Sequence, residues 1–249
     1  MKRVKLVVAY DGTNYCGWQV QKNGETIESV LNRAIGELTG EEIHVMGSSR
    51  TDAGVHACGN VAVFDTEARM AADKFSYALN QRLPEDIRIQ DSCEVPADFH
   101  PRFQKTVKTY EYRILNREFP LPAYRFNSHF TYRKLDVERM RQAAAYLIGE
   151  HDFQSFCAAD AQVKTTVRTI YALDVEKQGD LIILRITGNG FLYNMVRIIA
   201  GTLMKIGQGD WEPERIPEIL AGCDRQLAGP TAPARGLTLM EIHFKGEKG

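Results

Sequence analysis

Apolar and polar residues in the first hundred positions follow patterns that alternate between strand and helix. Residues 4–10 form an apolar run that ends at Asp11-Gly12, which is typical of a buried strand and a turn. Between residues 27 and 38 apolar side chains recur at helical spacing, with Thr26 as a candidate cap and Gly40 as a stop. The predicted elements are strand 4–10, helix 27–38, a strand through 43 and 45, strand 61–64, helix 71–83 and a strand through 87 and 89. Their order, β-α-β-β-α-β, is the split βαβ arrangement.

The remaining chain repeats this pattern after His100-Pro101, which we take as a junction. The predicted elements are strand 107–115, a loop with two prolines, a helix carrying apolar residues from 137 to 148, hairpin strands 170–175 and 181–186, helices 193–206 and 212–220, and strand 237–244. We predict an α+β fold of two similar halves, 1–100 and 101–249, each an antiparallel sheet covered by helices. A cleft between such halves is the expected place for an active site.

Composition narrows the class of protein. The 249 residues are 44% hydrophobic and 25% charged, which is ordinary for a globular protein. Five widely spaced cysteines without a CxxC pair predict free thiols in a reducing compartment and no zinc or other metal. No apolar run has the length of a membrane span, and no signal-peptide pattern follows the basic N-terminus. We therefore expect a cytoplasmic protein.

The formal net charge of −1 is unusual for a protein that binds nucleic acid. Local charge differs from the average, because the segment 101–117 carries five basic residues and only one acid, Glu111. Such a run is compatible with a solvated strand face as well as with a track for phosphates. The charge pattern alone leaves both interpretations open.

Asp52 is the leading candidate for chemistry, in the segment Gly47 to Ala57 (GSSRTDAGVHA). The small neighbours leave space for a substrate, and Gly54 permits a backbone angle that other residues resist. Arg50 can keep the carboxylate ionised or bind a phosphate. The alternative is a tight turn in which Asp52 caps its own backbone. His56, four residues later, is more typical of a structural or loop histidine.

Arg197 is the only charge in an apolar helical stretch from 191 to 204. A buried guanidinium requires a carboxylate partner, and Asp52 would meet that requirement, although an arginine can also extend to the surface. Such an ion pair would lower the pKa of the acid and keep it a carboxylate, as a nucleophile requires. Tyr110 and Tyr112 share one face of a predicted strand, where they either pack in a core or stack on a base. Neither a P-loop nor a complete GxGxxG motif is present.

Five segments, in order, closely resemble the tRNA pseudouridine synthase A (TruA-type) family. They are Tyr10 to Gln21 (YDGTNYCGWQVQ), the Gly47 to Ala57 segment, Lys108 to Arg113 (KTYEYR), Gly190 to Arg197 (GFLYNMVR) and Ala232 to Leu237 (APARGL). The resemblance spans nearly the whole chain and implies the pseudouridine synthase fold. It also implies conversion of uridine to pseudouridine at positions 38 to 40 of the tRNA anticodon stem-loop, by a homodimer without a cofactor.

The resemblance further implies a role for individual residues. Asp52 would be the catalytic nucleophile, and Arg197 would pair with it. Tyr110 would pack on the target uracil or help move its proton, and Arg50 would stabilise the flipped-out nucleotide. The residues do not determine whether the Asp52 carboxylate attacks the ribose C1′, attacks the uracil C6 or removes a proton.

Two other functions remain compatible with parts of the sequence. A non-catalytic RNA-binding module would share the split βαβ order and the tyrosine strand, but would not need an acid in a loop that approaches phosphates. A hydrolase or phosphatase with Asp52 as nucleophile would normally recruit Mg²⁺ through further carboxylates, and those nearest in sequence lie in predicted strands.

Overall fold

The computed structural model describes residues 1–158 and 164–244 of the chain. Within these residues the strands are β1 Lys2–Tyr10, β2 Met46–Gly47, β3 His56–Thr66, β4 Ile87–Val95, β5 Thr106–Asn116, β6 His129–Thr131, β7 Gly149–Asp152, β8 Val167–Gln178, β9 Leu181–Gly188 and β10 Leu237–Phe244. The helices are α1 Ile27–Thr39, α2 Phe75–Asn80, α3 Val137–Ala145, α4 Met195–Gly207 and α5 Arg215–Gly222. The predicted α+β fold class is confirmed, as is the β-α-β-β-α-β order of the first hundred residues.

The described residues group into two compact units. The first contains Met1–Lys105 together with 239–244, and the second contains Thr106–Thr238. Compact packing units are not the same as independently folding domains. The division into halves 1–100 and 101–249 therefore stays a prediction.

In the first unit the sheet has the order β4-β1-β3-β10, and β2 adds a short antiparallel pairing to β3. Strand β1 is antiparallel to both of its neighbours, and its residues Val4, Leu6, Val8 and Tyr10 are buried. Helix α1 has one buried face, which includes Ile27 and Leu31. Its predicted cap is confirmed, because the Thr26 side chain accepts a hydrogen bond from the Ser29 amide.

In the second unit the sheet has the order β5-β9-β8-β7, with all of these neighbours antiparallel, and β6 pairs with β5 in parallel. The predicted hairpin is β8–β9, with Gln178 opposite Leu181 at its tight end. Helix α4 is nearly all buried, as its apolar sequence predicts. The apolar helix carries the candidate Arg197, so the fold fixes the position of that residue.

Three predicted elements were wrong in extent. The strand through Ile43 and Val45 is absent, and only Met46–Gly47 pairs with β3. Ile43 and Val45 are buried, but the Val45 amide donates to the Asn32 side chain instead of to a strand. The helix predicted over 71–83 is a 3₁₀ turn followed by the short α2. Helix α3 ends at Ala145, before Leu147 and Ile148, since the chain turns there into β7, which was not predicted.

The described residues contain neither a candidate membrane span nor a candidate metal-binding cluster. None of the helices in those residues is both long and apolar enough to cross a membrane. In the same part of the chain, no group of three or more His, Cys, Asp or Glu side chains is arranged to hold a metal ion.

The Arg3–Asp65 ion pair ties β1 to β3, and we expect Asp65→Asn to lower the free energy of unfolding at pH 7 by about 1–3 kcal/mol. The two guanidinium contacts, Nε to Oδ1 at 2.8 Å and Nη2 to Oδ2 at 2.7 Å, are bidentate. Hydrogen bonding from Arg3 lowers the pKa of the Asp65 carboxyl. The stabilisation is therefore present above the unfolded pKa of about 4, and is lost as the pH falls through the lower folded value.

Urea unfolding at pH 7 and at pH 3 checks this expectation, with Asp73→Asn as the matched control. Asp73 forms an exposed pair with Lys74, so its replacement should cost little. An equal effect of both variants at pH 7 would contradict the assignment.

Candidate active site

The loop that carries Asp52 runs from β2 to β3 and is held by backbone hydrogen bonds at its start and next to Asp52. The Ser48 amide donates to the Val61 carbonyl at 2.7 Å. The Trp18 amide donates to the Thr51 carbonyl at 3.0 Å, immediately before Asp52. Asp52 itself is half-buried. The loop therefore presents this carboxylate from a fixed backbone, as a catalytic group requires.

Glycines make this close packing possible. Gly54 has φ = 77° and Gly17 has φ = 86°, in the left-handed region that favours glycine. A Cβ on Gly17 would lie 2.6 Å from the Thr51 carbonyl oxygen, and one on Gly12 would lie 2.0 Å from that of Val55. The predicted need for a glycine at position 54 is thus confirmed. The segment Tyr10 to Gln21 packs against the loop backbone at Gly12 and Gly17, where a side chain would not fit.

A buried polar network lies behind the Asp52 loop. The hydroxyl groups of Tyr10 and Thr51 are 2.7 Å apart, and the Asn60 amide donates to the Ser49 carbonyl at 3.0 Å and to Tyr10 Oη at 3.3 Å. Tyr10, Ser49, Thr51 and Asn60 are all buried. The network restrains residues on both sides of Arg50 and directly before Asp52. Our sequence analysis missed these roles, although Asn60 is a lone amide before an apolar strand segment.

His56 also supports this region and fits the structural role expected of it. Its Nδ1 atom accepts a hydrogen bond from the Gly12 amide at 3.1 Å and lies 3.0 Å from Asp11 Oδ1. Burial raises the pKa of the Asp11 carboxyl, but hydrogen bonds from Thr13 and the proximity of His56 outweigh it, so that the pKa is lowered. The hydrogen bond from the Gly12 amide fastens the turn after β1 to the start of β3.

Arg50, the second candidate in this loop, is exposed. Its neighbours Ser49 and Thr51 are buried, so the backbone is fixed while the guanidinium faces solvent. Asp52 and Arg50 thus belong to one rigid loop of the first unit.

Tyr110 lies in the second unit, on β5 opposite Ile186 of β9. It is only 7% exposed, and its ring contacts Phe191 edge-to-face with centroids 5.2 Å apart. The ring is therefore fixed in orientation by packing. Both of the interpretations given to the tyrosine pair, core packing and contact with a base, agree with a ring held in this way.

Tyr112, two residues along the same strand, is fully buried and donates from its hydroxyl to the Pro233 carbonyl at 3.0 Å. Burial raises the pKa of Tyr112, and the positive charges of Arg197 and Arg235 oppose that rise. A Cβ on Gly236 would lie 2.6 Å from the Tyr112 ring. The segment Ala232 to Leu237 thus packs against the tyrosine strand.

Arg197 lies in the first turn of α4 and is partly buried, as its apolar surroundings predicted. Its Nε donates to the Ala232 carbonyl at 2.8 Å, and its Nη1 donates to Asn194 Oδ1 at 2.7 Å. Asn194 adopts φ = 61°, a left-handed conformation that asparagine tolerates. These two bonds fix the plane of the guanidinium within the second unit.

We expect Tyr10→Phe to lower turnover about tenfold, because loss of the hydroxyl releases Thr51 and lets the adjacent carboxylate move. The free energy of unfolding should fall by about 1 kcal/mol, the net value of one hydrogen bond. Single-turnover kinetics and equilibrium binding of tRNA measure the effect, and the dissociation constant should stay unchanged.

Tyr15→Phe is the matched control for this change. Tyr15 is as buried as Tyr10, but its hydroxyl donates to Asp86 at 2.6 Å and does not reach Thr51. A similar loss of stability with nearly normal turnover is expected. Equal losses of turnover in both variants would show that the effect is one of general stability.

The comparisons with known proteins agree with the motifs and the geometry. Residues 6–104 and 143–245 match the family model described as tRNA pseudouridine synthase. The chain is 51% identical over 245 residues to tRNA pseudouridine synthase A of Brevibacillus brevis, covering 98% of this chain and 100% of that one. The enzymes of the same name from Ruminiclostridium cellulolyticum and Acetivibrio thermocellus are 49% and 48% identical, with the same coverage.

A protein with this fold and these matches is an RNA-modifying isomerase. The chain belongs to the tRNA pseudouridine synthase family, and it isomerises uridine to pseudouridine in tRNA. The resemblance seen in the sequence is thereby confirmed.

Proposed function

We propose that this chain modifies uridines at positions 38 to 40 of the tRNA anticodon stem-loop, with Asp52 as its nucleophile. The observation that carries the proposal is the half-buried Asp52 on a loop packed by glycines and fixed by backbone hydrogen bonds. A carboxylate in a rigid loop lined by small side chains suits attack on a flipped-out nucleotide. The stem-loop positions rest on the resemblance to the family.

The other candidate residues take complementary roles in this proposal. Arg197 pairs with Asp52 and keeps it ionised, and its guanidinium plane is already fixed by Ala232 and Asn194. Tyr110 packs against the target uracil or helps move its proton. Arg50, exposed on the same loop as Asp52, stabilises the nucleotide after it has left the stack.

The chemistry requires no redox partner. The N1–C1′ glycosidic bond breaks, the uracil rotates, and a C5–C1′ bond forms. The hydrogen at C5 leaves as a proton, and N1 takes up a proton, so that the product is an isomer of uridine. The carboxylate can assist by attack on C1′ or C6 or by removing a proton. The proposed reaction accordingly needs neither a cofactor nor a metal ion.

The proposal also includes a cytoplasmic homodimer that holds one tRNA across both subunits. The dimer and its shared tRNA are supported by the resemblance to the family. The chain itself has a near-neutral net charge of −1. That charge requires a basic RNA-binding surface offset by acidic outer faces, for which Glu212, Glu214 and Glu218 are candidates. Phosphate contacts position an RNA without reading its sequence, so recognition would rest on shape. Light scattering of the purified protein, which measures its mass in solution, tests the dimer.

Tritium release from unmodified tRNA labelled with [5-³H]uridine tests the reaction directly. We expect the wild-type protein to release tritium in the presence of EDTA, from the anticodon stem-loop positions and not elsewhere. Binding of tRNA without release would instead favour the non-catalytic RNA-binding module. Release that depends on added Mg²⁺ would contradict the metal-independent mechanism.

A further inference from the structure

The segment His100–Phe103 is fastened to the beginning of the Asp52 loop. The Ser48 hydroxyl donates to the Pro101 carbonyl at 2.9 Å. Arg102 Nε donates to the Gly47 carbonyl at 2.9 Å. Both contacts lie within the first unit. Any group held by this segment is therefore held at a fixed place relative to the loop backbone.

Arg102 and Arg50 bring two positive charges together at this place. Burial lowers the pKa of Arg102, and the charge of Arg50 lowers it further against the weaker effect of Glu28. Within residues 1–158 and 164–244, neither arginine forms an ion pair. Two guanidinium groups whose mutual repulsion outweighs the effect of the nearby Glu28 carboxylate form a site that a phosphate would stabilise.

Phe103 adds an aromatic surface beside these charges. Its side chain is 83% exposed, the highest value among the aromatic residues of the described chain. One face of the ring is stacked on His100, with centroids 4.1 Å apart and 26° between the planes. The Phe103 amide also donates to the His100 carbonyl oxygen at 3.2 Å, and the Arg102 amide donates to His100 Nδ1 at 3.2 Å. A supported ring with a face open to solvent is a platform on which a base can stack.

We propose that Arg50, Arg102 and Phe103 form a binding site for a nucleotide that flanks the target uridine in the tRNA. The two arginines hold its phosphate, and Phe103 stacks on its unpaired base. The proposal rests on the proposed function of the Asp52 loop and adds Arg102 and Phe103 to it. It also assigns a role to the start of the basic segment 101–117, which the charge pattern alone left open. A nucleotide is the occupant that uses both features, because its base is planar and its phosphate is anionic.

The arginine half of the site is tested by the salt dependence of tRNA binding to the full-length protein. Arg102→Ala should weaken binding and reduce the slope of log K against log[salt] by about one phosphate contact. Arg82→Ala is the matched control, since Arg82 is also exposed and also bonds to a backbone carbonyl, that of Ala78 at 3.2 Å. An unchanged slope for Arg102→Ala, or an equal change for Arg82→Ala, would overturn this half.

The aromatic half is tested by Phe103→Ala, measured in the same binding assay. We expect affinity for tRNA to fall about 5-fold to 100-fold with the salt slope unchanged, because stacking is lost and no charge is removed. Tyr77→Ala is the matched control, since Tyr77 is 69% exposed in the same unit. No loss of affinity for Phe103→Ala would overturn this half. Because Phe103 is so exposed, its replacement leaves folding intact even if Arg102→Ala disturbs the loop.

Two further readouts separate the possible failures. Tritium release by the wild type tests the proposed function. If the wild type is active and the Arg102→Ala and Phe103→Ala variants bind tRNA as the wild type does, this inference is wrong and the proposed function stands. Light scattering distinguishes a second copy of the chain as the occupant, since Phe103→Ala would then lower the oligomeric mass instead of the RNA affinity. In the supporting result, both variants keep the wild-type mass, bind tRNA more weakly and recover turnover at saturating tRNA.

Discussion

Replacement of Asp52 by alanine should abolish tritium release from [5-³H]uridine-labelled tRNA, with a loss of at least about 10⁴-fold in the single-turnover rate. The expected size follows from the effects of removing a nucleophile, which leave only the catalysis due to binding and electrostatics. Affinity for tRNA should stay the same or rise, because a negative charge near phosphates is removed. The pair of measurements therefore separates chemistry from binding.

Asp52→Asn and Asp52→Glu sharpen this experiment. Asparagine keeps the shape but loses the carboxylate, so it should be as inactive as alanine. Glutamate keeps the carboxylate, but its extra methylene misplaces the group on a loop whose backbone is packed closely against Gly17. Substantial turnover by any of the three variants would contradict the assignment of Asp52 as a nucleophile or a tightly positioned base.

The elements with strong local signals were predictable from the sequence. Helix α1 was predicted nearly to its bounds, because its apolar face, the Thr26 cap and the Gly40 stop all act within a few residues. Strand β10 was predicted over its observed range, Leu237–Phe244. The strand predicted at Ile43 and Val45 failed because β-pairing depends on a partner strand, and the partner β3 meets only Met46–Gly47.

For the candidate site, individual residues were predictable from the sequence, but the contacts between distant residues were not. Asp52 and Gly54 stand out because their types and spacing fit chemistry and a tight turn. The contact between Tyr10 and Thr51 joins residues 41 positions apart. The bond from Arg102 to Gly47 spans 55. No local pattern encodes such contacts, so the network behind the loop and the flanking-nucleotide site became visible only with the fold.

Replacement of Arg197 by methionine should lower turnover about 10²-fold to 10³-fold, a range typical of losing one stabilising group in an active site. Methionine preserves the apolar packing of α4 and removes the charge together with the bonds to Ala232 and Asn194. If Arg197 keeps Asp52 ionised, its loss should also move the acid limb of the pH–rate profile to higher pH. Affinity for tRNA should change much less than turnover.

Asn194→Ala provides the matched control for this variant. It removes one bond to the guanidinium but keeps the charge, so turnover should fall less and the acid limb should stay in place. A loss confined to tRNA binding in Arg197→Met would place this arginine on the RNA instead of on the acid. A uniform fall in rate without a shift of the pH profile would leave it a packing residue. The pH profile therefore decides whether Arg197 acts through Asp52, because only an electrostatic partner of the carboxylate changes the pH at which that group loses its charge.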